Sequence, residues 1–544
     1  MESDFSTPSL EEQPLLSAAS PDGISLESDD FVEDSIHEPT RVLGLTSTAF
    51  LIFNRVIGTS IFATPSVILR ASGSVGLSFI LWLLGATVAA CGTAVFVELG
   101  TGLPKSGGEK NYLEFMYRRP RFLATCVYAA YAVLIGWEVA NSSVFGEYAL
   151  HAIYPTQTPS SVATRLVGVS CVTFALLLHG IRPHWGIHLQ NTLGVLKIFA
   201  LSAIALSGLA AAARISGFEV DNPMQNFEWH RMWEGSARGG MSAFVTGLFT
   251  VVWSFVGYSN ANYALSEVRD PVRTISRTAP LAMFCVTVAY VLANFAYFAV
   301  VTKEEVLGSG RIIAATFFGK LWGVGAEQFV SMIVAMSTMA NVLTVLFTQG
   351  RVIQELGREG ILPLSSLFAS NKPFGAPLSG LASQWLLTCI LLLTVPPGDT
   401  YLLMINMITY PLSLINVFVS AGLLLLHAPP AIRPRLHWHQ DDADPVWSPP
   451  FRAWTPIVGF FFLSNVFLVF APLVPPAPGF NTYEKLPYWT HVVASSSISL
   501  FGVVYWYMYC IWLPRRGGYK LVREWVRENG VPRKVIKKVK MIEL

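Results

Sequence analysis

Apolar runs long enough to cross a lipid bilayer follow one another along nearly the whole chain. A hydrocarbon core takes about 20 apolar residues as α-helix. At that length twelve spans are predicted, near 42–71, 76–101, 121–150, 162–180, 187–210, 240–266, 278–302, 327–350, 377–395, 400–427, 455–474 and 488–513. The third exceeds the bilayer thickness, which predicts tilt. Two spans are interrupted at their middles. The first breaks at Ile57-Gly58-Thr59-Ser60-Ile61-Phe62 and the sixth at Ser254-Phe255-Val256-Gly257-Tyr258. These breaks hold matching places in two five-span halves, about 41–210 and 239–427, with two further helices over 455–513. Paired broken helices mark the binding site of secondary transporters built from inverted repeats. Hydrocarbon cannot satisfy the freed N–H and C=O groups, so a ligand, an ion or water must.

Composition agrees with a polytopic membrane protein of the all-α class. Of 544 residues, 52% are hydrophobic and 13% charged, about half the usual globular share of charge, and the mean hydropathy is +0.49. The net charge of +2 says little, but its distribution is informative. Residues 1–40 hold eleven Asp or Glu and no Lys or Arg, and read as a disordered acidic tail. This start lacks the basic flank and apolar core of a cleavable signal peptide. Within it, Glu11-Glu12-Gln13-Pro14-Leu15-Leu16 fits an acidic dileucine signal through which sorting adaptors would bind Glu11, Leu15 and Leu16. Residues 514–544 form a basic amphipathic tail, in which Leu521, Val522, Trp525 and Val526 among Arg523 and Arg527 predict a helix on an anionic inner leaflet. Tyr505, Trp506, Tyr507 and Tyr509 predict an interfacial aromatic belt before it. With the N-terminus inside, inner loops hold fifteen Lys or Arg against nine outside, and the C-terminal tail adds ten more. That asymmetry puts both termini in the cytosol.

The breaks carry the chemistry. Gly58 widens the backbone options, and Thr59 and Ser60 are poor helix formers. The half-helix starting near Ile61 would aim free N–H groups and a positive dipole end at the bilayer midplane, where a carboxylate fits. At the second break, carbonyls around Phe255, Val256 and Gly257 would end a half-helix and suit an ammonium. Together they outline a cradle for a zwitterionic α-amino acid. Intramembrane charges are costly and usually functional. Lys197 lies mid-span in helix 5 and is a candidate for proton coupling, and Glu138 near the centre of helix 3 is read as a proton carrier or as a structural partner of a helix end or of Lys197. Asn141 and Asn341 are polar candidates along the pathway, and Asn406 is a further one. Glu98 and Glu267 are expected to pair near the inner surface with Arg119, Arg269 or a neighbour. His179, His184 and His188 read as a solvated loop rather than a metal site. The six cysteines have neither CxxC nor metal-ligand spacing. There is no phosphate-binding loop, nucleophile motif or paired catalytic carboxylate. The chain is therefore expected to be no enzyme, to need no cofactor or metal, and to bind no nucleic acid.

Five stretches carry a family likeness: Arg55 to Pro65 (RVIGTSIFATP), Glu98 to Tyr112 (ELGTGLPKSGGEKNY), Asn141 to Tyr148 (NSSVFGEY), Trp253 to Pro271 (WSFVGYSNANYALSEVRDP) and Arg351 to Leu378 (RVIQELGREGILPLSSLFASNKPFGAPL). Through them residues 40–515 resemble the amino acid–polyamine–organocation superfamily, in its L-type branch, and most of all the fungal methionine permeases. The resemblance implies a LeuT-type fold of five plus five inverted helices and two more. It implies that the backbone of Gly58, Thr59, Ser60 and Ile61 holds the substrate carboxylate. By the same likeness the carbonyls of Ile57, Phe255 and Val256 hold the amine, and Tyr258 and Asn260 line the side-chain pocket or gate. Lys197 would stand in for a sodium ion between helices 1 and 8. Many relatives carry a second glycine where this chain has Ser60, which bears on affinity.

The function implied is secondary active import of a neutral L-amino acid, methionine, with a proton, by alternating access. An exchanger and a non-transporting nutrient receptor are the alternatives. Animal L-type relatives carry an outer cysteine after helix 3 for a heavy chain. The corresponding loop here, His151 to Ala163, has none, so no disulfide-linked partner is expected. The likeness points to the plasma membrane, the dileucine pattern to the vacuole.

Overall fold

The computed structural model describes residues 44–104, 107–117, 119–157, 159–236, 240–263, 265, 268–396, 398–428, 447–476, 482–528 and 531–540. The acidic tail with Glu11, Leu15 and Leu16, and also Glu267, lie outside them.

Twelve spans form. The first consists of α1 (Leu45–Val56) and α2 (Ser60–Ser72), and α3 (Val75–Gly102) is the second. A short helix, α4 (Glu109–Met116), leads to the third span, α5 (Leu123–Leu134) and α6 (Val139–Ile153). The fourth and fifth are α7 (Ser161–Ile181) and α8 (Pro183–Ala212). After the small helix α9 (Trp229–Trp233), α10 (Gly240–Ser254) opens the sixth span and α11 (Pro271–Val300) is the seventh. Two capping helices, α12 (Lys303–Gly308) and α13 (Ile313–Trp322), precede α14 (Val324–Arg358), the eighth. Then come α15 (Ser365–Ala369) and the spans α16 (Leu378–Thr394), α17 (Thr400–His427), α18 (Thr455–Phe470) and α19 (Thr490–Trp506), ending in α20 (Leu513–Gly517). One continuous core joins α1, α2, α3, α6, α10, α11 and α17. Peripheral helices turn apolar side chains outward, as Leu166 and Leu177 on α7 and Phe199 and Leu206 on α8 do. That is the surface a helix bundle presents to lipid.

Four local expectations change. The third span is not one long helix: it breaks over Ile135–Glu138, with Val139 N–H reaching back only to Gly136 O at 3.4 Å. The C-terminal tail forms no amphipathic helix. It folds as an antiparallel hairpin of β1 (Tyr519–Glu528) and β2 (Val531–Lys540), with Glu528 opposite Val531. The sequence between the strands is Asn529-Gly530, the two-residue turn pair that favours hairpins, and Val and Ile recur along β2. Arg523 docks the hairpin on α4 through two bonds to Glu114, at 2.8 and 3.0 Å, and Ile536 N–H donates to Glu359 O at 3.1 Å.

Glu98 pairs with neither Arg119 nor Arg269. Its fully buried carboxylate takes hydrogen bonds from His427 Nε2 (2.8 Å), Trp447 Nε1 (3.0 Å) and Ala453 N (2.9 Å), pinning the end of α3 to the end of α17. His179 is buried against the Phe347 ring, while His184 and His188 lie on the first turns of α8. Pro183 starts α8 directly after α7, so no loop of that length forms.

Candidate functional site

The two breaks form where the sequence is least helical. α1 stops at Val56 because Ile57 turns extended (ψ 97°) while its N–H still reaches Phe53 O. α2 restarts with Thr59 O accepting from Phe62 and Ala63. No acceptor among the described residues takes the N–H of Gly58, Thr59, Ser60 or Ile61. Gly58 is required by proximity: any Cβ there would run into the Asn341 amide. In the sixth span the last N–H groups, Phe255 and Val256, tighten onto the i−3 carbonyls of Val252 and Trp253. Gly257 then turns the chain at φ +127°, which favours glycine. Beyond it only a 3₁₀ turn, Asn260–Tyr263, forms, because Asn262 caps Ser259 O with its side chain. The carbonyls of Phe255 and Val256 have no donor among the described residues.

A single phenol joins the breaks. Tyr290 on α11 places its hydroxyl 2.8 Å from Val56 O, 3.0 Å from Ser254 O and 2.9 Å from Ser60 Oγ. The free N–H groups and the free carbonyls are therefore a few bonds apart. Thr59 Oγ1 donates to Asn141 Oδ1 at 2.9 Å, tying the first break to the third span. Lys197 is fully buried and donates to Ile57 O at 3.1 Å and to Asn341 Oδ1. Its ammonium thus bridges the first break and α14. Ile57 O already holds one donor, leaving one lone pair for a ligand.

A cavity extends from the second break toward the hairpin-bearing face. Tyr258 and Asn260 both line it. Tyr258 is held by Asn416 Nδ2 at 3.1 Å and by the rings of Phe96 and Phe461, and Asn260 Nδ2 donates to Leu51 O at 3.3 Å. At the far end Glu109 accepts from Ser259 and Tyr263. Burial pushes its carboxyl above the ordinary range against those two bonds. Glu138, at the break in the third span, is fully buried, and Thr388 Oγ1 donates to its Oε2 at 3.2 Å.

The opposite face is shut. Arg311 pairs with Glu147 on α6 and lies over the Tyr401 ring at 5.0 Å. Burial opposes the Arg311 charge, but Glu147 outweighs it and holds the guanidinium protonated above its ordinary range. Arg70 Nη2 donates to Leu307 O at 2.9 Å, and Ser66 to Gly310 O, fastening α2 to the capping helices. A cavity toward one side and a sealed opposite face fit one state of an alternating-access machine.

The model of the amino acid permease family matches residues 43–496. The chain belongs to that family. The permease is 42% identical to the high-affinity methionine permease of Saccharomyces cerevisiae over 500 residues, covering 92% of this chain and 84% of the relative. It is 30% identical to the low-affinity methionine permease of the same organism, covering 90% and 88%. It is 31% identical to the human Asc-type amino acid transporter 1 over 73% of each chain. It is thus a multi-pass amino acid transporter, not an enzyme, and its twelve spans with broken helices 1 and 6 are the LeuT-type arrangement.

The sequence-derived candidates gather around the two breaks except Glu138, which stands at a third, and Asn406, which donates to Tyr483 Oη at 2.8 Å. One member of the constellation had no motif to announce it. Tyr290 sits unremarked in an ordinary apolar span. Arg55 was legible as a charge inside a span but stood only at the edge of a motif. Trp253 packs edge-on against Tyr401 at 5.9 Å, between the break and the sealed face.

Proposed function

We propose that the permease imports a neutral L-amino acid, methionine, across the plasma membrane together with a proton, with both termini and the hairpin-bearing face in the cytosol. The observation that carries this reading is the pairing of four unaccepted N–H groups at Gly58–Ile61 with the free carbonyls of Phe255 and Val256. A carboxylate and an ammonium on one carbon satisfy both sets at once, and the helix-end dipoles favour each charge where it would sit. The methionine assignment is supported by the names of the two yeast relatives. Apolar cavity walls, among them Ile135 and Ile408, suit an uncharged side chain.

Lys197 supplies the fixed positive charge at the first break, its ammonium held by two acceptors. Glu138 is the group that takes the proton. It is buried beside one hydroxyl donor, and an ionised carboxylate so placed is costly unless a cation reaches it. The charged and polar groups that face it are Arg55 on α1, Thr388 on α16 and its own backbone N–H. Translocation then alternates the sealing of the two faces around a fixed site. Transport proceeds without a disulfide-linked heavy chain.

Uptake of labelled methionine in cells lacking other permeases tests this. Unlabelled methionine should compete, while its methyl ester and N-acetyl derivative should not, because each removes one end of the zwitterion. Accumulation should rise as external pH falls and collapse with a protonophore. Competition by the ester equal to that by methionine would overturn the site. Accumulation indifferent to pH and protonophore would overturn proton coupling.

A further inference from the structure

Two complementary groups in this membrane domain are left without partners. The Glu138 side chain is fully buried, and its Oε1 has no hydrogen-bond partner among the described residues. The Arg55 guanidinium lines the cytosolic cavity and makes no hydrogen bond or ion pair with any described residue. The two lie beside the same cavity: Arg55 lines it, and so do Ile135 and Trp137, the neighbours of Glu138.

Their placement is as telling as their isolation. Arg55 is in the last turn of α1, one residue before Val56, at the helix end whose dipole tolerates a cation. Its stem passes so close under the second break that a Cβ on Gly257 would lie 2.7 Å from Arg55 Cγ. Arg55 therefore travels with the two broken helices. Glu138 is the residue from which α6 restarts, and Thr388 on α16 fixes its other oxygen. Glu138 therefore belongs to the packed helices against which the broken ones must rock.

An unpaired buried charge costs several kcal/mol, and a pair within one domain removes much of that cost. Two such orphans of opposite sign, one on each moving body, with Arg55 lining the cavity and Glu138 buried next to its lining residue Trp137, define a contact made in another state. We propose that Arg55 and Glu138 are the two halves of a charge gate that closes the cytosolic pathway, open in this structure and paired when α1 swings inward. The gate rests on the alternating-access reading above but not on the identity of the substrate. It gives Gly257 a second role, as the space through which the Arg55 stem moves.

The test is a double-mutant cycle in the full-length chain with two readouts. The first is methionine counterflow, the uptake of label into preloaded vesicles with no proton gradient, per inserted protein for Arg55→Gln, Glu138→Gln, the double Arg55→Gln/Glu138→Gln and the swap Arg55→Glu/Glu138→Arg. Each single variant leaves one charge to be buried alone in the sealed state, so uptake should fall by about tenfold or more, and the neutral double should recover by about fivefold over either single. The second readout needs no substrate. A cysteine at Val352, which lines the cavity, is alkylated by an impermeant maleimide in inside-out vesicles, against the same chain without it. Labelling should be fastest in the single variants, intermediate in the neutral double and slowest in the parent. The neutral double also guards against a swap that fails to insert. A double variant no better than the worse single, with labelling rates that simply add, would overturn the gate. Labelling in the expected order without any methionine uptake would uphold the gate and sink the substrate reading instead.

Discussion

The hydroxyl of Tyr290 lies 2.9 Å from the Ser60 hydroxyl, at the first residue of α2. The same oxygen is within 3.0 Å of carbonyls at the ends of both α1 and α10. One phenol on a continuous helix therefore sets the spacing of two interrupted ones. It also gives the Ser60 hydroxyl a buried partner.

Tyr290→Phe should keep the fold, because the ring remains packed edge-on against Trp82 at 5.2 Å. It strands buried carbonyls, at about 1–3 kcal/mol. Uptake measured as kcat/KM should fall between about fivefold and a hundredfold, with normal amounts of inserted protein.

Gly58→Val and Gly257→Val should both abolish uptake, for different reasons. At Gly58 the new carbon displaces the Asn341 amide, and with it an acceptor of Lys197. At Gly257 the backbone sits at φ +127° and the Arg55 stem is in the way. Gly58→Ala should already be severe, since Cβ alone makes the collision. Uptake and surface biotinylation together check this.

Lys197→Ala removes the one donor to Ile57 O among the described residues and leaves Asn341 Oδ1 without its ammonium, both in a buried place. Accumulation should drop by about tenfold or more, consistent with losing a charge-assisted bond of about 1.5–3 kcal/mol. Asn341→Asp should be tolerated better than Asn341→Leu, since it keeps an acceptor for the ammonium.

The docked hairpin should respond to cytosolic acidification. Burial opposes the Glu114 charge, but Lys110 and Arg523 prevail and hold its carboxyl below the ordinary range. A depressed carboxyl contributes stability that is complete above the free value, about 4.3, and is lost as pH falls through the lower docked value. Energy transfer between a dye on the hairpin and one at the end of α14 should be constant near neutrality and fall only well into acid. Glu114→Gln should undock the hairpin at neutral pH.

The broken helices could be read before any coordinates because Gly58, Thr59, Ser60 and Gly257 interrupt long apolar runs, and a bilayer leaves few reasons for that. The span count followed from length alone. The third break was illegible: Gly136 is a single small residue of a kind common in membrane helices, and Glu138 reads equally as a charge on an intact helix. The hairpin was legible in Asn529-Gly530, but the basic and apolar residues of the tail also fit a helical stripe, and that pattern won wrongly. Glu98 was misassigned because its donors, His427, Trp447 and Ala453 N–H, come from over 300 positions away. Sequence gives the charge of such a group, whereas only the tertiary fold gives its partner.

The most direct test of the zwitterion cradle is an electron density map of the permease with L-methionine bound. The carboxylate should lie within hydrogen-bond reach of the N–H groups of Gly58–Ile61, and the ammonium within reach of the carbonyls of Phe255 and Val256, with Lys197 still on Ile57 O. Methionine bound elsewhere, or either interrupted span drawn as an unbroken α-helix, would contradict the account.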